Sequence, residues 1–466
     1  MEHRAVRRWS GAMTLVLVVV LFAGALFGYD QGVISGALEG LQREFKLSPL
    51  MIGVVTSWVT LGAAAGSLAG GEIADRLGRR KAMLAAAALF AAGAAVEALA
   101  PDVPILVAGR LIVGFGVGVA AVAAPLYAAE LAPSEQRGRF VSAYQLAITI
   151  GIFLAYLVDQ ALADDGRWRM MLGASAVPAI LLFIAILPAV ESSRWLVRMG
   201  DIDGARANIK RARPWVDPEV RLASIQESLR DEPPNAAWSE VFARRWRKPL
   251  AIGIGLAVFQ QITGINAVIY YSDRIFAAAG FSSPQAQTMA TTWAIGAVNV
   301  VATLIAIAFI DKLGRRPLLL AGLAGMCASL VAVGLAFFSA GTGSMSSTAG
   351  VVTLVALVVF IVSFAFSLGP VVWTVINEIF PGQVRGRAVA VATAVNWGAA
   401  FLVSQFFLSL VGAIGEAGTF GVFAFFCVAG GAWVYRNVPE TKGRSLEEIA
   451  ALWSADGTAR AADTTP

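Results

Sequence analysis

The 466-residue chain contains a single histidine, His3, and it lies in the N-terminal tail. A buried imidazole acting as general base or metal ligand is therefore excluded. Cysteine is nearly as scarce. Cys327 and Cys427 both stand inside apolar runs, which points to neither a disulfide framework nor a metal cluster. Charge is low: Asp, Glu, Lys and Arg make up 14% of the chain, against about 25% in ordinary soluble domains. There is no nucleophile elbow, no phosphate-cradling glycine loop and no nucleotide motif, so the chain is not expected to be an enzyme, and no cofactor or metal is expected. Gly114, Gly116 and Gly118 follow no strand, so they read as helix-packing positions and not as a dinucleotide fingerprint. The net charge of +5 and pI near 9.4 do not suggest nucleic acid, because the cations lie in short loops between apolar runs.

Apolar residues are abundant instead, at 58% with mean hydropathy +0.71. They gather into twelve runs near the ~20 residues that a bilayer requires. These fall at about 12–36, 50–73, 82–100, 104–131, 140–162, 170–190, 249–272, 287–310, 317–340, 350–379, 387–411 and 417–436. Arg4, Arg7 and Arg8 precede a first run too long for a signal peptide, so it is read as a retained helix. The expectation is an all-α membrane protein with an N-terminal six-helix half over 1–190 and a charged linker of short helices over 191–248. A C-terminal six-helix half follows over 249–448, then a tail over 449–466. With the N-terminus inside, 30 Lys and Arg fall on the inner segments and 5 on the outer loops. That asymmetry predicts a multi-pass cell-membrane protein with both termini and the linker cytoplasmic.

The halves repeat each other. Asp75-Arg76-Leu77-Gly78-Arg79-Arg80 recurs 236 positions later as Asp311-Lys312-Leu313-Gly314-Arg315-Arg316. Glu130, Arg137 and Arg139 recur 248 positions later as Glu378, Arg385 and Arg387. Two similar membrane halves that rock about a site between them describe a transporter. The repeated cations suit membrane-edge anchoring, but anchoring does not require the repeated carboxylates. Their presence favours ion pairs that hold the inner side closed.

Unrepeated features should distinguish substrate from mechanics. Asp30 and Arg110 lie in apolar surroundings of the first half, where ionisable groups mark a pathway by default; snorkelling or a purely structural pair is the alternative. Glu97, near the outer end of the third run, reads as interfacial. In the second half, Gln260, Gln261 and Asn266 cannot all project one way from an ideal helix, and Gly264 between them permits a break that turns them inward. Amides both donate and accept, as the hydroxyls of a neutral polyol do. Trp373 and Trp397 offer apolar faces for the C–H groups of such a substrate, although membrane amides also join helices and tryptophans also sit at interfaces.

From about residue 12 to 448 the chain resembles the sugar porter family of the major facilitator superfamily. The duplicated loop signature alone indicates the superfamily. More specific are Gly28-Tyr29-Asp30-Gln31-Gly32-Val33-Ile34-Ser35-Gly36, the run from Gln260 to Ser272, and Pro439-Glu440-Thr441-Lys442-Gly443. One departure is Val190-Glu191-Ser192-Ser193-Arg194-Trp195, where the family has prolines before the Glu and before the Arg. The resemblance implies the twelve-helix major facilitator fold. It also implies that Asp30 and Arg110 face one another, with Asp30 as the proton acceptor, as in the family's symporters. Animal facilitators carry an amide at that position. It implies an inner gate of Arg79, Glu130, Arg137, Arg315, Glu378 and Arg385. It further implies a sugar site of Gln145, Gln260, Gln261, Asn266, Asn299, Trp373, Asn396 and Trp397, with Phe27 and Tyr271 as wall residues. Ile152 stands where some pentose symporters carry an amide, so the sugar preference does not transfer.

The expected activity is monosaccharide import, pentose or hexose, by proton symport with alternating access. The expected partners are a sugar and membrane lipid, with no nucleic acid, and the expected state is a monomer. The alternatives are an uncoupled facilitator of a sugar or cyclic polyol, and a sugar-sensing receptor on a transporter scaffold.

Overall fold

Glycine and serine set the helix boundaries in the computed structural model, which describes residues 10–132, 137–163, 166–230, 238–341, 346–380 and 382–442. No strand occurs among them. The first half runs through α1 (Gly11–Phe45), α2 (Pro49–Leu77), α3 (Arg79–Ala98), α4 (Val103–Leu131), α5 (Arg137–Leu162), α6 (Trp168–Ala174) and α7 (Ala176–Ile186). The Asp102 side chain caps α4 by accepting the Ile105 N–H at 2.9 Å, which satisfies one of the orphan donors at the helix start. α1 continues to Phe45, beyond the predicted end at 36. An i,i+4 pair of Glu39 with Arg43 supports that added polar turn.

The linker forms α8 (Ser193–Arg198), α9 (Ile202–Ala212), α10 (Pro218–Arg230) and α11 (Trp238–Val241). Ser192 and Asp201 cap α8 and α9 with their side chains. Ala205, Ile209, Leu222 and Ile225 bury one apolar face of this small cluster, as expected for amphipathic helices.

The second half is built from interrupted helices. Its seventh span is α12 (Arg247–Ile262) and α13 (Ile265–Ala278), divided at Gly264, whose φ of 97° lies in the left-handed region. The eighth is α14 (Pro284–Ala290), a π-helical turn over Thr291–Ala297 and α15 (Val298–Leu313). α16 (Arg315–Ala340) is followed by α17 (Ser347–Phe366) and α18 (Leu368–Glu378), then by α19 (Gly382–Asn437). Among the described residues eleven stretches are long and apolar enough to cross a membrane, but the last spans Val384–Asn437, 54 residues. Gly415, with φ 72°, breaks it between the predicted runs 387–411 and 417–436, so it holds two spans and the total is twelve.

Two compact units emerge. Among the described residues, one lies within Met1–Gln31, Trp58–Ala155 and Arg169–Pro233; the other lies within Gly32–Ser57, Tyr156–Trp168 and Pro234–Pro466. The division differs from the linear one expected at 190 and 248. It cuts α1 after Gln31 and α5 after Ala155, so the far ends of both helices pack with the second half's residues. Within the first unit, α2 and α4 approach at backbone distance. A Cβ on Gly114 or Gly118 would strike the carbonyls of Val59 or Ala63, the small-residue contact that brings membrane helices together without a hydrophobic drive.

Candidate functional site

In the first unit a guanidinium is enclosed between two carboxylates. Arg110 of α4 donates through Nη1 to Asp30 Oδ1 of α1 at 2.8 Å. Glu97 Oε1 of α3 lies 3.6 Å from the same nitrogen. All three are buried, Arg110 and Glu97 at 1% exposure and Asp30 at 4%. Arg110 is thus in the interior and does not snorkel. Burying a charge is costly unless it is paired, and one guanidinium can neutralise only one of two carboxylates. Glu97 is the residue missed by the sequence reading. It is not interfacial but buried beside Arg110, because α3 and α4 pack closely where Gly109 meets the Glu97 side chain.

In the second unit the helix breaks at Gly264, and the amides on either side of the break meet. Asn266 Nδ2 donates to Gln261 Oε1 at 2.9 Å, and Gln261 Nε2 donates to Asn396 Oδ1 at 3.1 Å. Asn396 Nδ2 donates to Gln260 Oε1 at 2.8 Å and to the Ala257 carbonyl at 2.9 Å, while Gln260 Nε2 reaches the Leu368 carbonyl at 2.6 Å. These four amides from α12, α13 and α19 form one buried chain of alternating donors and acceptors. A substrate hydroxyl that enters it exchanges one hydrogen bond for another, which suits a polyol. Tyr271, a predicted wall residue, is fully buried, donates to the Ser404 carbonyl at 2.7 Å and stacks on Phe407.

Other predicted site residues do not take part in the hydrogen bonds of that chain. Asn299 is buried just after the π-helical turn, Trp397 is buried one position after Asn396, and Trp373 is half-buried on α18. Gln145 and Phe27 are half-buried in the first unit, on α5 and α1. Ile152 is buried on α5.

The duplicated charges form two matching clamps, each within its own unit. Arg79 donates to Glu130 Oε1 from Nη2 at 2.8 Å and from Nε at 3.2 Å, and its Nη1 lies 3.1 Å from Asp75. Arg315 Nη2 donates to Glu378 Oε1 at 3.0 Å, and the Thr441 hydroxyl donates to the other Glu378 oxygen at 2.6 Å. The Arg385 Nε donates to the Phe380 carbonyl at 2.9 Å, and the Arg137 side chain lies outside the described residues. A further pair of carboxylates completes the repeat. Glu191 Oε1 accepts the Arg79 N–H at 3.0 Å and the Arg80 N–H at 3.2 Å; Glu440 accepts those of Arg315 and Arg316 at 3.1 and 3.0 Å. Each carboxylate therefore caps the N-terminus of α3 or α16, where the helix dipole favours negative charge. Gly78 and Gly314 precede those helices with φ of 93° and 91°, and a Cβ on either would collide with the capping carboxylate. The signal was present in the sequence: Glu191 and Glu440 are 249 positions apart, the same drift as the repeat.

Burial pushes the Glu191 carboxyl above the usual carboxylate range, against the pull of the N–H groups of Ser192, Arg80 and Arg79 and of the Arg79 charge. Burial also raises Glu440, but there the N–H groups of Lys442, Arg315, Arg316 and Thr441 outweigh it and hold the carboxyl below its ordinary value.

A buried charge triad in one unit, a neutral amide chain in the other and matched terminal clamps define a duplicated membrane carrier. The family model for "Sugar (and other) transporter" matches residues 16–453, and the chain belongs to that family. It is 37% identical to the arabinose-proton symporter of Bacillus subtilis, over 95% of each chain. It is also 40% identical to the D-xylose transporter of Levilactobacillus brevis, over 93% of this chain and 94% of the relative. Among solved structures, the partially occluded inward-open xylose transporter XylE from E. coli is similar with a TM-score of 0.81. That match has 30% identity and covers 94% of this chain and 100% of the other.

Proposed function

We propose that this protein imports a monosaccharide, pentose or hexose, by proton symport with alternating access. The observation that carries the reading is the Asp30–Arg110 contact at 2.8 Å, sealed from solvent in an apolar interior. An ionised aspartate there holds Arg110. A proton arriving from outside neutralises Asp30 and leaves the guanidinium to Glu97, so proton occupancy selects between two arrangements of the carrier. Similarity to an arabinose-proton and a galactose-proton symporter supports the coupling. The sugar hydroxyls engage Gln260, Gln261, Asn266 and Asn396, with Gln145, Asn299, Trp373 and Trp397 as the other members of the site.

Arg79, Glu130, Arg137, Arg315, Glu378 and Arg385 form the inner gate in this reading. Both termini and the linker face the cytoplasm, the protein resides in the cell membrane against lipid, and it works as a monomer. Its six-helix halves over 1–190 and 249–448 are the parts that rock, with 191–248 as the link and 449–466 as a tail. It carries out no chemical conversion. The decisive experiment is uptake of a panel of pentoses and hexoses into proteoliposomes, with and without an imposed proton gradient. Accumulation of at least one sugar above the outside concentration is expected only when the gradient is present. Uptake that only equilibrates, gradient or not, would make the protein an uncoupled facilitator.

A further inference from the structure

Two carboxylates of the second unit play no part in the site above, yet both are buried. Asp159, near the end of α5, is 1% exposed, and Asp273, in α13, is 8% exposed. Asp159 Oδ2 accepts the Gly36 N–H of α1 at 3.2 Å, while its Oδ1 is buried without any hydrogen-bond partner. Gly36 is the residue that admits this contact, because a Cβ there would sit 2.5 Å from the Asp159 side chain. Asp273 accepts the Thr291 hydroxyl, and its backbone N–H donates to Ser35 Oγ of α1 at 3.2 Å. Adjacent residues of α1 are thus bound to the two acidic positions.

The surroundings supply no compensating cation. Asp159 and Asp273 meet the consecutive residues Gly36 and Ser35 of α1, so both carboxylates lie in one buried neighbourhood, and Glu39 stands about one turn further along the same helix. Arg43 pairs with Glu39, and Arg274, the neighbour of Asp273, donates to Gln42. The phenol of Tyr156 on α5 donates to the Ile269 carbonyl at 2.8 Å, and Tyr270 lies on the same stretch of α13. Among the described residues neither Asp159 nor Asp273 forms an ion pair, and no three His, Cys, Asp or Glu are grouped so as to hold a metal. Burying two like charges with no partner is costly. One proton removes the repulsion and leaves the other carboxylate with its N–H and O–H donors.

We propose that Asp159 and Asp273 together take up one proton and constitute a second proton-binding site, separate from Asp30, whose occupancy latches the outer end of α1 onto α5 and α13. When the proton leaves, the pair needs water, and the contacts through Ser35 and Gly36 must part to admit it. Closure and protonation therefore favour one another. The inference rests on the topology proposed above, in which this end faces outside.

The test uses the full chain with Asp30→Asn, so that the first carboxylate cannot titrate, and with Cys327→Ser and Cys427→Ala. An Ile269→Cys reporter is buried in the latched packing, and a Leu50→Cys reporter is 52% exposed as the wild-type residue. Labelling by an impermeant maleimide from outside is read as the ratio of the first reporter to the second, which cancels the thiol's own pH dependence. The ratio is expected to rise roughly tenfold between about pH 6 and about pH 8. Asp159→Asn and Asp273→Asn are each expected to hold it low at both pH values. A flat ratio in the parent, or the same rise in the Asp159→Asn/Asp273→Asn double variant, would overturn the proposal. Loss of coupling at Asp30 leaves this labelling pattern untouched, so the two readings fail separately.

Discussion

The central sites of the two units bury opposite kinds of polarity. The first holds formal charge: Asp30, Arg110 and Glu97, from α1, α4 and α3, all 4% exposed or less. The second holds Gln260, Gln261, Asn266 and Asn396, which carry none and satisfy one another. A charged cluster changes its interactions when a single proton arrives, whereas an amide chain is indifferent to protons but can exchange partners with hydroxyls. In the proposed reading, coupling and recognition thus fall on different halves of a duplicated fold. On that reading the repeat is strict in the clamps, which both halves need, and absent at these two sites.

The largest expected effect comes from erasing the charge difference. Asp30→Asn puts an amide beside Arg110 and should abolish accumulation against a gradient while leaving sugar exchange measurable. Counterflow and gradient-driven uptake in the same proteoliposomes separate the two. Undiminished accumulation would remove Asp30 from the coupling step and leave the contrast between the halves without a function.

Shortening an amide in the other unit should have a smaller effect of a different kind. Gln260→Ala or Asn266→Ala leaves a buried partner unsatisfied and should weaken sugar binding by about 1–3 kcal/mol, roughly 5- to 150-fold. The proton dependence should remain. Binding isotherms identical to wild type would take these residues out of the sugar site, and a changed pH profile would blur the division between the units.

Much of this was legible in the chain. Hydropathy and the repeat yielded the twelve spans, and Gly264 between two glutamines and an asparagine announced the break that assembles the amide chain. Other features were not legible. Whether Glu97 meets lipid, water or Arg110 depends on which helix covers it, and the close packing of α3 on α4 is a tertiary fact. Asp159 and Asp273 lie 114 positions apart, and both meet the outer part of α1, which was expected to end at 36. The pairing of Glu191 with Glu440 could have been read from their spacing, but the motif around Glu191 lacks its prolines and conceals the likeness.

The clamps allow a sharper comparison, since there the halves are alike. Glu378→Gln removes the charged partner of Arg315 in a partly exposed pair, worth about 1 kcal/mol or less. The expected result is a shift of a few-fold toward inward-open states, read as more labelling of inner-cavity cysteines and less of outer ones, with sugar choice unchanged. Arg137→Ala should act in the same direction from the first half. An unaltered labelling pattern in both would reduce these charges to topology determinants.

The smallest effect distinguishes the two caps by pH. The Glu440 carboxyl is held below its ordinary value by the N–H groups that outweigh its burial. Its contribution to stability is therefore present above the unfolded value and is lost as pH falls through the folded one. Glu191 is raised by burial, so the sign reverses: its contribution is present below the unfolded value and is lost as pH rises through the folded one. Mild acidification below about pH 5, where carboxyl groups begin to titrate, should loosen the start of α16 before the start of α3. Hydrogen exchange of peptides spanning Gly78–Met83 and Gly314–Leu319, corrected for the intrinsic pH dependence, reads the difference. Equal loosening of both, or earlier loosening of the first, would show that the two caps respond to their shared N–H cradle and not to their unequal burial.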